Sequence, residues 1–170
     1  MTDPIVYKKK MASKTLDYKF YPTDDLLESK NFKKLKKVRC IAIDDEKRIC
    51  MVSYSKTSNW MLPGGTVERK ENPILTMRRE LVEEADIEIK NYKLIGFLEF
   101  HLHNNLTNYD LRQDEMFFVA KVAKVLPQTN DPDLGFILQR EFFPIEEVFS
   151  EYMKWGKISK FLLDYALKLK

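Results

Sequence analysis

The sequence predicts a single α/β domain, and three observations predict it. A chain of 170 residues and 20.2 kDa has the size of one domain. Its apolar share of 44%, with only 5 Gly and 7 Pro, is that of a chain that folds around a core. Runs with the composition of strands are interspersed with stretches of helical period, and neither a repeat nor a Gly/Ser-rich or Pro-rich linker divides them. About 68 to 70% of the unfolded surface can be buried at this length, so neither disulfides nor a structural metal is required.

Taken in order, the first 35 residues form a basic segment that stays unassigned, apart from Leu16, Tyr18 and Phe20, whose alternation suits a short edge strand. Residues 1 to 40 carry eleven Lys and Arg against five Asp and Glu, although the whole chain is only +3. The clusters Lys8, Lys9, Lys10 and Lys33, Lys34, Lys36, Lys37 suit either polyanion binding or a solvated arm. With no interleaved aromatic pattern the solvated reading is favoured over a nucleic-acid partner. From residue 36 to 170 a single domain is expected. VRCIAI and RICMVSYS flank the polar turn DDEK and read as an antiparallel hairpin, followed by a short WML strand that runs into Pro63, Gly64 and Gly65.

Asn72 followed by Pro73 signals a helix start, because Asn caps free N–H groups and Pro is tolerated at the first helical position. The helix is predicted from Pro73 to about Ala85. YKLIGFLEFHLH and EMFFVAKVAKV are two long strands separated by a polar stretch around Asn104 to Asp114, and a loop with Asn130, Pro132 and Gly135 precedes a further strand, QREFF. Helices near Ile145 to Met153 and Lys157 to Leu169 close the chain. In the last of these, Ile158, Phe161, Leu162, Tyr165, Ala166 and Leu169 form an apolar stripe expected to pack on the sheet, with a homodimer interface as the alternative. No apolar run reaches the 18 residues that span a bilayer and the N-terminus has no secretory stretch, so a cytoplasmic protein with no membrane partner is expected. Cys40 and Cys50 on the predicted hairpin are then expected as plain buried thiols.

The chemistry concentrates in PGGTVERKENPILTMRRELVEEADI. At 100° per residue Glu80, Glu83 and Glu84 share one arc of the helix, while Ile74, Met77, Leu81, Val82 and Ala85 lie opposite. Like charges at this spacing repel, and the lysines at i+4 that would balance a solvated acidic face are missing; only Arg79 can reach Glu83. A hard divalent cation with oxygen ligands would supply the balance.

Gly65, Glu71, Arg79-Glu80-Leu81, Glu83-Glu84 and Ile87 stand at the spacings of the Nudix box, and this stretch, with TrpMetLeuProGlyGly before it, resembles the Nudix hydrolases. Weaker likeness runs from about Val38 to Leu169 and includes PhePheProIleGluGluVal. The resemblance implies a mixed β-sheet sandwiched between α-helices and a Mg²⁺- or Mn²⁺-dependent hydrolysis of a nucleoside diphosphate linked to another group. It further implies metal ligation by Glu80, Glu83, Glu84 and the Gly64 carbonyl, orientation of a box glutamate by Arg79, and bracing of the loop by Glu71. The proton acceptor is either Glu80 or an acid outside the box, with Glu115, Asp131, Asp133 and Glu141 as candidates.

The chain departs from the box at Asp86, where the family has Gly. Asp is among the few other residues that tolerate φ > 0, so a cost of about 1 kcal/mol in stability and a tolerated, mildly stabilising Asp86→Gly change are expected. Glu99, His101 and His103 share one strand face and offer substrate contacts or simply a polar surface; His-x-His alone lacks the further ligands of a zinc site. Trp60 and Tyr54 are suited either to stacking on a nucleobase or to core packing. Two other function classes stand beside the hydrolase of small nucleotide-like substrates: a nucleotide-binding module without catalysis, and an RNA 5′-end pyrophosphohydrolase.

Overall fold

The computed structural model describes residues 2–26, 35–55, 59–69 and 71–168. One seven-stranded sheet runs in the order β1-β2-β5-β6-β3-β4-β7, from β1 (Ile5–Lys10), β2 (Lys14–Pro22), β3 (Leu35–Ile43), β4 (Arg48–Ser53), β5 (Ile87–Asn104), β6 (Tyr109–Val125) and β7 (Gln139–Pro144). The β3–β6 pair is parallel and the others are antiparallel, so the sheet is mixed. On one face α1 (Pro73–Ala85) buries Met77, Leu81 and Ala85 against Val38, Cys40, Phe97 and Phe118. The other face packs Phe20, Ile41, Met51 and Phe117 beneath Ile145, Val148 and the helix α3 (Lys157–Leu167). The sandwich expected from the sequence is therefore present. Each fully buried Met or Leu contributes about 1.5–3 kcal/mol, which fixes α1 to the sheet at two successive turns.

The α3 stripe packs inward as expected: Ile158, Leu162 and Ala166 are buried and Phe161 meets Phe20 at 5.5 Å between ring centroids. Leu169 lies outside the described residues, as do Lys33 and Lys34. The stretch expected as a helix near Ile145 to Met153 holds only three α-helical residues, α2 (Ile145–Glu147), before a π turn at Val148–Tyr152. Cys40 and Cys50 are free and buried, and burial pushes the Cys50 thiol up to about 12 and the Cys40 thiol in the same direction.

The N-terminal segment departs from its expectation. Leu16, Tyr18 and Phe20 belong to β2, which is an interior strand because β1 covers its outer side and β5 its inner side. Lys8 pairs with Asp17 across β1 and β2 at 3.1 Å, so Lys8, Lys9 and Lys10 stand exposed on a paired strand rather than on a free arm. The polar stretch 104–114 also differs: β5 and β6 continue through it to a tight turn at 105–108, where the Asn104 side chain accepts from the Leu106 and Thr107 N–H groups. Asp110 and Arg112 stand opposite His103 and His101 on a stretch of the sheet that stays exposed or half-buried. β5 starts at Ile87 rather than Tyr92, because a register shift between Lys90 and Lys93 interrupts the alternation that marks a strand.

The largest departure positions the site. The expected hairpin β3–β4 pairs only at Ile43–Ile49, beside the Asp44 turn, and the strands then separate. Residues 63–67 occupy the edge of β3 instead, through Val38 N–H to the Gly65 carbonyl (2.9 Å), Cys40 N–H to the Pro63 carbonyl (3.1 Å) and Val67 N–H to the Lys36 carbonyl (2.7 Å). The WML strand shrinks to a bridge between Met61 and Val52, since Pro63 has no N–H with which to extend a ladder. Gly64 sits at φ 143°, where a Cβ would lie 2.2 Å from the Val38 carbonyl oxygen, so only glycine follows this path.

Because β2 carries Phe20 into the core, truncation should be graded. Removing residues 1–12 takes away β1 and should lower the melting temperature while leaving a folded chain; removing residues 1–22 should abolish cooperative melting. Calorimetry of the two truncations checks this, and a full-strength melt after the longer cut would contradict it.

Candidate active site

Helix α1 begins and ends as its sequence predicts. The Asn72 side chain accepts from the Ile74 N–H at 2.8 Å with Pro73 following, and Asp86 closes the helix in the left-handed conformation, φ 47° and ψ 47°. The carboxylates lie as the wheel predicts, with one difference: Glu80 is buried, because the 63–67 segment covers that side of the helix, whereas Val82 is exposed. A Cβ on Gly65 would come within 2.3 Å of the Glu80 carboxyl, so glycine there makes room for the acid.

Arg79 organises the cluster. Its guanidinium meets Glu71 in two bonds of 3.1 Å, Glu83 at 2.8 Å and Glu80 at 2.9 Å, and it donates to the Thr66 carbonyl at 3.3 Å. The Arg79 bonds, helped by Thr76 Oγ1 at 2.7 Å, hold Glu71 down at about 2. Glu80 and Glu84 move the opposite way. Burial raises both against the pull of nearby arginines, and Glu84 reaches about 7 although it accepts the Gly64 N–H at 2.8 Å.

Glu80 and Glu84 line a cleft of about 230 Å³ with Gly64, Gly65, Arg39, Lys37, Tyr54, Asp131 and Asp133. As the side chains stand, no three His, Cys, Asp or Glu side chains among the described residues already converge on a metal position. The donor chemistry nonetheless fits a hard cation: burial and mutual repulsion raise both carboxylates despite the nearby arginines, and a divalent ion would offset that penalty. Glu83, bonded to Arg79 at 2.8 Å, is not among the residues that line the cleft. The Gly64 carbonyl accepts from Arg39 Nη1 at 3.0 Å and has a second lone pair to offer.

Of the acids named outside the box, Asp131 and Asp133 reach this cleft. Glu115 lies beyond Arg39, bonded to Arg39 Nε at 3.4 Å and to the Gln113 side chain. Glu141 is on β7 opposite Met51 and lines neither cavity. A second cavity of about 230 Å³ adjoins the first at Arg39, and its walls are aromatic: Tyr18, Trp60, Phe100, Tyr152 and Trp155, with Gln113 and Glu115 as polar groups. Trp60 and Tyr54 are thus divided between the two cavities. Glu99, His101 and His103 lie on the sheet face opposite Leu98 and Phe100, away from both; Glu99 accepts from Tyr21 Oη, and His101 and His103 meet Asp110 at 2.5 and 3.5 Å.

Sequence reasoning misses Arg39, Gln113, Tyr18 and Trp155. The one available signal is Arg39 itself, a charge within the otherwise apolar VRCIAI. Asp86 also departs from its expectation. Its carboxylate is turned away from the cleft, buried, and bonded to Thr129 through the N–H (3.2 and 3.1 Å) and Oγ1 (2.6 Å).

A mixed sheet between helices, with a glycine loop set against a glutamate-rich helix, defines a Nudix-type domain, and comparison with known proteins agrees. The family model of the NUDIX domain matches residues 33–165, and the chain belongs to that family. It is 29% identical over 121 residues to diphosphoinositol polyphosphate phosphohydrolase 2 of Rattus norvegicus, across 71% of this chain and 63% of that protein. It is 30% identical over 121 residues to diphosphoinositol polyphosphate phosphohydrolase 3-alpha of Mus musculus, across 71% and 69%. The chain thus spans somewhat under two thirds of the length of the first of these relatives. Among solved structures, the Bacillus subtilis pyrophosphohydrolase BsRppH superposes with a TM-score of 0.65 at 18% identity, over 96% of this chain and 99% of that one. A UDP-X diphosphatase gives 0.52 at 24%, over 67% and 52%. At these identities the structural likeness establishes the fold. No helix among the described residues is long and apolar enough to cross a membrane.

Two outcomes follow. Glu71 is ionised in the folded chain down to about 2, against an ordinary value of 4.5, so its stabilisation is complete above pH 4.5 and is lost as pH falls through about 2. The melting-temperature gap between the native chain and Glu71→Gln should therefore be widest above pH 5 and close toward pH 2; a gap that is constant with pH would contradict it. Asp86→Gly, in turn, should destabilise. It relieves about 1 kcal/mol of backbone strain but removes hydrogen bonds to a charged group worth about 1.5–3 kcal/mol, which urea denaturation can measure.

Proposed function

We propose that the protein is a metal-dependent hydrolase of the pyrophosphate bond in a nucleoside diphosphate linked to another group. The observation that carries this reading is the junction at Arg39. A carboxylate cleft on one side and an aromatic cavity on the other, each of about 230 Å³, share this residue as a common wall. A planar base fits the aromatic walls, and the diphosphate then falls beside Arg39, Lys37 and the acids of α1.

Glu80, Glu83, Glu84 and the Gly64 carbonyl are the residues that would hold Mg²⁺ or Mn²⁺. When bound, the metal would neutralise diphosphate charge and acidify the attacking water. The chain's own groups supply the rest. Arg79 keeps the glutamates oriented, Glu71 keeps Arg79 in place, and Arg39 fixes the Gly64 loop through the Leu62 and Gly64 carbonyls at 3.1 and 3.0 Å. Asp133, exposed at the rim of the cleft, is a suitable proton acceptor, as is Glu80. The box carboxylates are all retained, which speaks against a binding module without catalysis.

The relatives named for diphosphoinositol polyphosphates share the diphosphate but not a planar base. The aromatic cavity, in which Arg39 already pairs with Glu115, offers flat apolar walls that suit a planar base better than a polyanionic ring. Release of phosphate or pyrophosphate from nucleoside triphosphates, nucleotide sugars, a diphosphoinositol polyphosphate and 5′-triphosphate RNA, with Mg²⁺ and with Mn²⁺, separates these substrates. On the best of them, Glu84→Gln and Glu83→Gln should lower turnover by at least about 10²-fold while the fold survives. Native rates in either variant, or hydrolysis that persists in excess chelator, would refute the metal-hydrolase reading.

A further inference from the structure

The loop of residues 126–138 brings two acids to the cleft, yet it belongs neither to the glycine loop nor to the glutamate helix. It is closed on itself. Asp131 N–H donates to the Phe136 carbonyl at 3.0 Å, Gly135 N–H donates to the Asp131 carbonyl at 2.8 Å, and Asp131 Oδ1 accepts from the Asp133 and Leu134 N–H groups at 2.9 and 2.8 Å. Gln128 Nε2 ties it to the Leu138 carbonyl at 2.9 Å. Such a loop moves as one piece, so its position depends on where it is hung.

It is hung on the C-terminal end of α1. Asp86 holds Thr129 by both its N–H and its hydroxyl, and the Asp86 carbonyl accepts the Leu126 N–H at 2.8 Å. Arg140 Nη1 completes the joint, donating to the Ala85, Asp86 and Leu126 carbonyls at 2.8, 3.1 and 3.1 Å. Asp86 adopts a left-handed backbone, costly for any residue but Gly, and buries a carboxylate, which is costly unless it is hydrogen-bonded. Both costs fall at the position where the box has Gly, and the side chain that Gly lacks is directed entirely at Thr129.

We propose that Asp86 is a positioning residue for the reaction: it latches the 126–138 loop to the end of α1, and so holds Asp133 and Asp131 across the cleft from Glu80 and Glu84. Asp86 touches no substrate itself. The inference rests on the hydrolase reading above for its catalytic consequence and on the hydrogen bonds alone for its structural one.

The two are tested separately. Hydrogen exchange of the full chain reads the latch without substrate. In Asp86→Gly the amides of residues 129–135 should exchange at least about tenfold faster while those of α1 and β6 are unchanged, and Asp86→Asn, which keeps an acceptor and tolerates the left-handed backbone, should restore most of the protection. On the best substrate, Asp86→Gly should lower kcat about tenfold with KM within about twofold, and Asp86→Asn should recover most of kcat. In an Asp131→Asn, Asp133→Asn background the same Asp86→Gly change should cost little more, since its effect passes through those acids. Unchanged exchange at residues 129–135 overturns the latch. An undiminished loss of kcat in the double-Asn background overturns the positioning role. If the native chain hydrolyses nothing in the panel, the hydrolase reading fails while the exchange result still decides whether Asp86 holds the loop.

Discussion

The guanidinium of Arg79 is bonded at once to Glu71 ahead of α1, to Glu80 and Glu83 on it, and to the Thr66 carbonyl of the segment that runs along β3. Acids set this close on a helix would otherwise repel and fray it. A fixed planar cation with five donors can satisfy several of them together, which a flexible ammonium cannot do with the same geometry. The consequence reaches beyond charge balance, because the same residue joins loop and helix, the two halves of the cleft. A partly buried arginine keeps its charge under all ordinary conditions, so its bonds to Glu71 hold until Glu71 itself takes up a proton at about 2.

Arg39 has the corresponding role within the sheet. It rises from β3, where most neighbouring positions are apolar and buried, and meets the Leu62 and Gly64 carbonyls on one side and Glu115 on the other. Neutralising Glu115 allows a carboxylate to stand in an aromatic wall, and binding the carbonyls fixes the glycine loop. The separation of β3 from β4 makes both contacts available. Had the hairpin paired along its length, residues 63–67 would have no edge to occupy and Gly64 would not reach α1.

How much of this the sequence discloses depends on the range of the interaction. Asn72, Pro73 and Asp86 act within a few residues, so the limits of α1 and the shared arc of its glutamates are legible from local rules. The 63–67 segment is not, because its partners on β3 lie 23 to 31 residues away and its pattern is too short to read as a strand. The Asp86 carboxylate is legible as a tolerated departure from Gly, but not as a partner of Thr129, which is 43 residues distant. Polar residues at the exposed end of β5 and β6, such as His101, His103, Asp110 and Arg112, conceal the true length of both strands. Arg39 alone gives a sign of its role, since a charge in an apolar strand needs a partner.

The N-terminal segment shows how composition can misdirect while packing informs. Its lysines suggest an arm, but between them Tyr18 and Phe20 alternate with charged residues on β2, and both point to the side that faces α3. Phe20 is buried in that core. Tyr18 stacks on Trp155 at 5.1 Å between centroids, leans on Phe100 at 5.0 Å and lines the aromatic cavity. The match to the family begins at residue 33, so Tyr18 brings to this cavity a side chain from sequence that the family match leaves out. A pocket closed by a strand outside the shared domain is where members of a common fold can differ in what they accept. The carboxylate cleft, by contrast, is built wholly from residues within the matched segment. Apart from Tyr18, the residues of cleft and cavity thus interleave along the same matched segment, and among the described residues Arg39 is the one that lines both.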